Sequence, residues 1–355
     1  MKITKKFYGI ILMLACGLAA TLKAQTIYVS SANPYNVIGE YTITGATNNA
    51  SLISGLNSPY GIAISGNDLF VANNGTGSGG SIGEYTLSGG TVNASLIPLS
   101  SGPAGIAFSG TNLFVANPAV GTIGEYTTSG ATVNASLISG LNGPSSIAIS
   151  GSNIFVSSFS TAAIGEYTTS GATVSAALIS GLSGPAGIAI SGTNLFVAND
   201  GNGTIGEYST SGKSLNTSLI SGLNEPYGLA IFGTNLLVVN FGSGTVGEYT
   251  TSGTLVKAAL ISGLNQPRYI TIGPAQSSVP RIIGISVSGT TLNLTATNGP
   301  AGGTYTLLES TNVVSPLAQW TAVLTNTFGS TGSINLSTNI VNHANPVEFY
   351  ILEVP

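Results

Sequence analysis

Residues 185–224 read PAGIAISGTNLFVANDGNGTIGEYSTSGKSLNTSLISGLN, and the punctuation of this stretch decides the fold. Four short apolar segments, at 187–191, 194–199, 204–209 and 215–220, are separated by Ser-Gly-Thr, Asp-Gly-Asn-Gly, Thr-Ser-Gly and Ser-Gly-Leu-Asn. β-branched and aromatic residues fill the segments, and Gly, Asn and Ser fill the gaps where the backbone must turn sharply. The stretch predicts four short antiparallel strands.

Working outward, the same unit recurs. Gly-Glu-Tyr places its carboxylate at Glu40, Glu84, Glu125, Glu166, Glu207 and Glu248, with spacings of 44, 41, 41, 41 and 41 residues. A second phrase, Pro-x-x-Ile/Leu-x-Ile/Phe, begins at Pro59, Pro103, Pro144, Pro185, Pro226 and Pro267. Four strands in about 41 residues is the size of one propeller blade, whereas solenoid coils are shorter. The ends of the array are complementary. Residues 27–31 match a second strand without a preceding Pro phrase, and Pro267–Ile272 is a Pro phrase with nothing after it. One blade assembled from both ends would close the ring and hide two sheet edges. The expectation is an all-β chain: a six-bladed β-propeller over residues 25–273, closed by a composite N-/C-terminal blade.

Pro59-Tyr60-Gly61-Ile62-Ala63-Ile64 followed by Asp68-Leu69-Phe70-Val71-Ala72-Asn73 resembles the NHL-type propeller repeat, whose wider relatives are gluconolactonase/regucalcin-like proteins and streptogramin lyases. The resemblance spans about residues 26–273 and departs from the pattern at Asn73, Asn117, Asn199 and Asn240, where an Asp is typical. It supports the fold; propellers host many functions.

Only 6% of the chain is charged, with 8 Lys or Arg against 12 Asp or Glu. No cationic surplus exists to neutralise phosphates, so a nucleic-acid partner is excluded. Lys2, Lys5 and Lys6 followed by the uncharged, mostly apolar residues 9–22 read as a signal peptide over residues 1–24. That stretch is shorter than the roughly 20 residues a membrane span needs, so the chain is expected to be exported, to the periplasm, the cell surface or the medium. Met13-Leu14-Ala15-Cys16 offers a lipoprotein alternative through Cys16. Cleavage would leave Lys213, Lys257, Arg268 and Arg281 against all 12 acids, a net charge of −8, and no cysteine. A monomer held by its core is expected.

Residues 274–280, Pro-Ala-Gln-Ser-Ser-Val-Pro, read as a linker. Strand-like runs at 282–287, 291–296, 305–309, 320–324, 333–336 and 348–354 predict a small β-sandwich over residues 281–355. Its segment from Tyr305 to Asn312, with Trp320 and Phe349-Tyr350, resembles C-terminal modules of secreted bacterial proteins. Trp320 reads as a core residue.

Catalytic groups are scarce. His343, the only histidine, lies in the appended domain, so no His-based catalysis or zinc site fits the propeller. The resemblance to streptogramin lyases implies histidines that this propeller does not possess. The resemblance to gluconolactonases implies a divalent metal at the channel mouth. Asp200 and Asn202 are the two weak candidates for a cation such as calcium, short of the roughly 6–8 ligands calcium takes. No cofactor is otherwise expected. The six repeat glutamates lie too far apart to share a ligand and read as solvated, or as bonded to Thr and Tyr. Sequons at Asn93, Asn134 and Asn216 ride on the repeat.

Differences between copies carry more than the repeat does. The residue after each Pro is Tyr60, Ala104, Ser145, Ala186, Tyr227 and Arg268, and the residue before it is Ser58, Gly102, Gly143, Gly184, Glu225 and Gln266. In an up-and-down blade these connections share one face with the loops that carry Tyr35 and Phe241. Large side chains therefore gather on three consecutive blades. Arg268, Tyr227, Tyr60, Glu225, Gln266, Tyr35 and Phe241 form the candidate site for a protein, peptide or carbohydrate ligand. The bland alternative is an ion pair of Glu225 with Arg268 beside tyrosines that cover the channel. Binding is expected rather than catalysis; the enzyme alternatives are a metal-dependent lactonase-like hydrolase and a streptogramin-lyase-like enzyme.

Overall fold

Each Pro phrase becomes the innermost strand of a four-stranded antiparallel sheet, and six such sheets stand in a ring. In the computed structural model, residues 25–274 are described except 33 and 76–78, together with residues 9–13, 281–288, 291–297, 304–312, 314–329, 333–339 and 347–353. Cys16, His343 and most of the expected linker lie outside the described residues.

The first blade is the composite one. Pro267–Gly273 pairs with Thr26–Ser31, which pairs with Val37–Thr42 and then Thr47–Ile53. Blades 2 to 6 follow in chain order, with inner strands Pro59–Ser65, Ile106–Ser109, Pro144–Ser150, Pro185–Ser191 and Pro226–Phe232. The inner strand of blade 6 packs against that of blade 1, and blade 1 against blade 2, so the ring is closed.

Burial follows from stacking. Second strands such as Asn194–Asn199 are buried from their second residue to their last, because a neighbouring blade covers each face. Outer strands such as Ser214–Ile220 are exposed until their final two residues. The cores lie between blades: Phe114, Ile123 and Ile138 of blade 3 pack with Ile147, Ile154, Val156 and Tyr167 of blade 4. In Gly-Glu-Tyr the Tyr ring folds back over the Gly, and a Cβ at Gly124 would stand 2.8 Å from the Tyr126 ring.

The repeat glutamates correct the expectation. In blades 3 to 6 they are bonded neither to Thr nor to Tyr: the side-chain amides of Asn112, Asn153, Asn194 and Asn235 donate to Glu125, Glu166, Glu207 and Glu248 at 2.6–2.7 Å. Each Asn opens the second strand, 13 residues upstream and one strand inward. In blade 2 that position is Asp68, which faces Glu84.

The remaining unit is built from two small sheets. Arg281–Ser288, Thr291–Thr297 and Ile334–Asn339 form one; Thr304–Ser310, Thr321–Thr327 and Val347–Glu353 form the other, with Gly9–Met13 parallel beside Val347–Glu353. Leu292, Leu294 and Ile334 of the first sheet pack with Tyr305, Leu307 and Phe328, so the unit is a β-sandwich-like module. Trp320 is buried, and its indole N–H donates to the Ser315 carbonyl at 2.9 Å, as a core residue does. Among the described residues, no helix is long and apolar enough to cross a membrane.

Blade 2 yields a prediction. Partial burial, then the Asp68 charge, holds the Glu84 carboxyl above its ordinary value. A raised carboxyl binds its proton more tightly in the folded chain than in the unfolded one. Its stabilising contribution is therefore full in acid and is lost as pH rises from the ordinary carboxylate range, near about 4.3, through the raised value. Asp68→Asn restores the amide–carboxylate bond of the other blades. It is expected to raise unfolding free energy at neutral pH by about 0.5–1.5 kcal/mol, with a smaller gain near about pH 4. Equal gains at both pH values in chemical denaturation contradict this account.

Candidate functional site

The inner strands crowd around the axis, and the third residue of each Pro phrase meets the next blade. A Cβ at Gly61, Gly105, Gly187 or Gly228 would lie 2.0–2.6 Å from the carbonyl oxygen of Ala104, Ser145, Tyr227 or Arg268 respectively. The Gly61 and Gly105 amides donate directly to the first two of these carbonyls, at 3.0 and 2.8 Å.

Two copies break the rule, Ser146 in blade 4 and Tyr269 in blade 1. There a serine from the second strand bridges the wider gap. Ser157 Oγ accepts from the Ser146 amide at 2.9 Å and donates to the Ala186 carbonyl at 2.7 Å. Ser30 Oγ accepts from the Tyr269 amide at 3.0 Å and donates to the Tyr60 carbonyl at 2.7 Å. Blades 1 and 4 are opposite in a ring of six. The Tyr269 hydroxyl crosses the axis and donates to the Ser145 carbonyl at 2.7 Å. Burial holds this phenol well above its usual value, so it remains a donor. Tyr269 thus plugs the channel.

Tyr269 was not among the candidates drawn from the sequence. The signal was present: four second strands end Val-Ala-Asn or Val-Val-Asn, whereas Val29-Ser30-Ser31 and Val156-Ser157-Ser158 occur in the two blades that lack the inner Gly.

The Tyr227 ring meets Tyr269 edge-on at 5.5 Å. Above this floor lies Arg268. Its guanidinium carbon stands 4.4 Å from the centroid of Phe241, 4.6 Å from Tyr60 and 5.1 Å from Tyr227. Those rings come from blades 6, 2 and 6, on either side of blade 1. The ion pair with Glu225 that stood as the alternative does not form: among the described residues no carboxylate comes within 4 Å of Arg268. Its Nε is buried and has no hydrogen-bond partner.

Four of the seven candidates, Arg268, Tyr227, Tyr60 and Phe241, are therefore one cluster. Glu225 and Gln266 flank it, both exposed. Tyr35 is 64% exposed and has no ring contact or hydrogen bond to the others. Glu225, Gln266 and Ser58 hold left-handed backbone, with φ of 51°, 44° and 51°, where blades 4 and 5 place Gly143 and Gly184 at 65° and 60°. That geometry lets the carbonyl before Pro in these five blades accept the amide that follows the second strand: Phe241 to Glu225 at 2.9 Å, Asp200 to Gly184 at 3.1 Å.

Of the weak metal candidates, Asn202 Oδ1 accepts from the Thr204 hydroxyl at 2.8 Å within the Asp200–Asn202 turn. Burial first, then the Glu225 charge, raises the Asp200 carboxyl, and Arg268 lowers it in part. The described residues include no group of three His, Cys, Asp or Glu side chains placed to hold a metal ion.

No family model matches the sequence, and no curated protein matches it. Solved structures do. A chain from a nidogen/laminin complex superposes with a TM-score of 0.60 at 16% identity, covering 71% of this chain and 100% of that one. A catalytically inactive virginiamycin B lyase from Staphylococcus aureus with quinupristin superposes at 0.50 with 20% identity, covering 77% and 92%. A streptogramin B lyase gives 0.50 at 17% identity, covering 77% and 90%. These likenesses bear on the fold alone, and they agree with the six-bladed β-propeller that the strand pairing shows.

The left-handed residues give a test. An L side chain there costs about 1–2 kcal/mol, partly offset by the extra unfolded-state freedom of Gly. Glu225→Gly and Gln266→Gly are each expected to stabilise the ring by about 0.5–1 kcal/mol in denaturant unfolding. Destabilisation by both contradicts the strain.

Proposed function

We propose that this chain is an exported, non-catalytic propeller that binds a peptide, protein or carbohydrate ligand over Arg268, on the face that carries the variable loops. The observation that supports the reading is the state of Arg268, a guanidinium clamped by three rings, with a buried and unpartnered Nε and no carboxylate beside it. Aromatic faces fix the plane of the cation and dehydrate it while leaving its Nε unpartnered. Little side-chain freedom remains to be lost when a planar acceptor, such as a carboxylate or a hydroxyl pair, docks on the free edge.

The propeller's histidine-free composition supports binding over acid–base chemistry. The fold neighbours include both kinds of protein, one crystallised in a nidogen/laminin complex and others named lyases. The carboxylates that a lyase-like or lactonase-like reaction on this face would draw on are Asp200, raised first by burial, and Glu225.

A glycan and peptide array probed with wild type, Arg268→Ala and Lys213→Ala tests the reading. Lys213 sits in an exposed turn on the opposite face. Arg268→Ala is expected to weaken binding at least about tenfold, the loss of one charge-assisted hydrogen bond, without lowering the unfolding midpoint. Lys213→Ala should bind as wild type does. Binding that survives Arg268→Ala and is lost in Lys213→Ala places the ligand on the other face.

A further inference from the structure

We propose that the mouth is a two-pole site that takes a ligand carrying both a carboxylate and a protonated amine, namely a free amino acid or a short peptide with free ends. The proposal rests on the binding reading above and adds a second pole to it.

The first pole is Arg268. The second arises from a register shared by three neighbouring blades. The residue that follows the second strand is Phe159 in blade 4, Asp200 in blade 5 and Phe241 in blade 6, so an acidic position is flanked by aromatic ones on the two neighbouring blades. The backbone ties these positions down. The Phe159 ring lies against Gly184, where a Cβ would be 3.2 Å from it, and the Gly184 carbonyl takes the Asp200 amide at 3.1 Å. On the other side the Phe241 amide donates to the Glu225 carbonyl, while the Phe241 ring stacks on Arg268. Phe159 is 47% exposed and so is open to a ligand.

Asp200 is half-buried, and Glu225 lies close enough for its charge to act on it. A half-buried carboxylate that a second carboxylate's charge reaches, with aromatic residues on the neighbouring blades, favours a bound ammonium, which relieves that charge and is attracted by rings. Arg268 does not fill that role. Its charge is felt at Asp200, yet no ion pair forms, because Tyr60, Tyr227 and Phe241 hold the guanidinium in their own cluster. Opposite charges that would neutralise each other on an ordinary surface are kept apart here, and only a ligand with both charges satisfies them together.

A competition experiment on the full chain tests this. Immobilised wild-type protein is exposed to an equimolar pool of free amino acids and random di- and tripeptides, each peptide present as free, N-acetylated and C-amidated forms, and the retained species are read by mass spectrometry. Doubly free species are expected to be enriched at least tenfold over either blocked form. Amino acids and peptides in the retained fraction distinguish the two sources. Arg268→Gln should erase the preference against amidation alone. Asp200→Asn should erase the preference against acetylation alone, and Glu225→Gln, on an exposed loop, provides the same readout should Asp200→Asn fold poorly. A retained pool that discriminates against amides but ignores acetylation refutes the second pole and leaves the Arg268 anchor standing. Retention of nothing, or without preference for either end, overturns the proposal, while the array still decides the face independently.

Discussion

Everything in the ring answers to crowding at the axis. Six inner strands converge until the amide of one lies within hydrogen-bond reach of a carbonyl on the next, and a side chain at that point would overlap the oxygen. Glycine meets the constraint in four blades. The other two meet it by inserting a serine hydroxyl from the second strand, which lengthens the bridge by one atom and frees a position for a side chain. Blade 1 uses that freedom for Tyr269, and the opposite blade offers only Ser145 and Ser146, so the phenol crosses the axis unopposed. The axis is thereby blocked at the level of Tyr269.

The mouth beside that block is where the copies diverge. Arg268 and Tyr227 stand directly on the plug, one residue before the crowded position in their strands, and their backbones are fixed by the same inter-blade contacts. The loops above them are fixed too, since in every blade but the third the carbonyl before Pro turns to receive an amide from the loop beyond the second strand. Blades 4 and 5 meet that demand with glycine, whereas blades 6, 1 and 2 meet it with Glu225, Gln266 and Ser58 at a conformational cost. Strain of this kind persists where the side chain is wanted. The three strained residues border the same side of the mouth as the caged guanidinium.

The sequence conveyed the architecture because each blade is a local object: four strands, three turns and two phrases fit within 41 residues, and the orphan strands at the ends could be matched by inspection. Features that depend on register across strands were less legible. Asn112 and Glu125 are 13 residues apart, and only the pairing of the second and third strands brings them together, so the glutamates of blades 3 to 6 were assigned the wrong partners. Tyr269 was hidden inside a phrase defined by its Pro and Ile, although Ser30 and Ser157 marked the two unusual blades. The meeting of Arg268 with Tyr60 and Phe241 follows from ring closure. Tyr35 was grouped with them by face alone, and its loop holds it apart.

The central claim is that Arg268, caged by three rings and with no carboxylate beside it, takes a carboxylate ligand, and Arg268 and Arg281 are the only arginines in the chain. A spectrum of protein labelled with nitrogen-15 in arginine alone therefore contains two Nε–H signals, which Arg268→Lys assigns. Titration with acetate, a bare carboxylate probe, reads the claim directly. The account predicts that the Arg268 signal, displaced by the surrounding rings in the free protein, moves saturably while the Arg281 signal stays in place. Two signals at the solvent-exposed position, or an Arg268 signal indifferent to acetate, would contradict it.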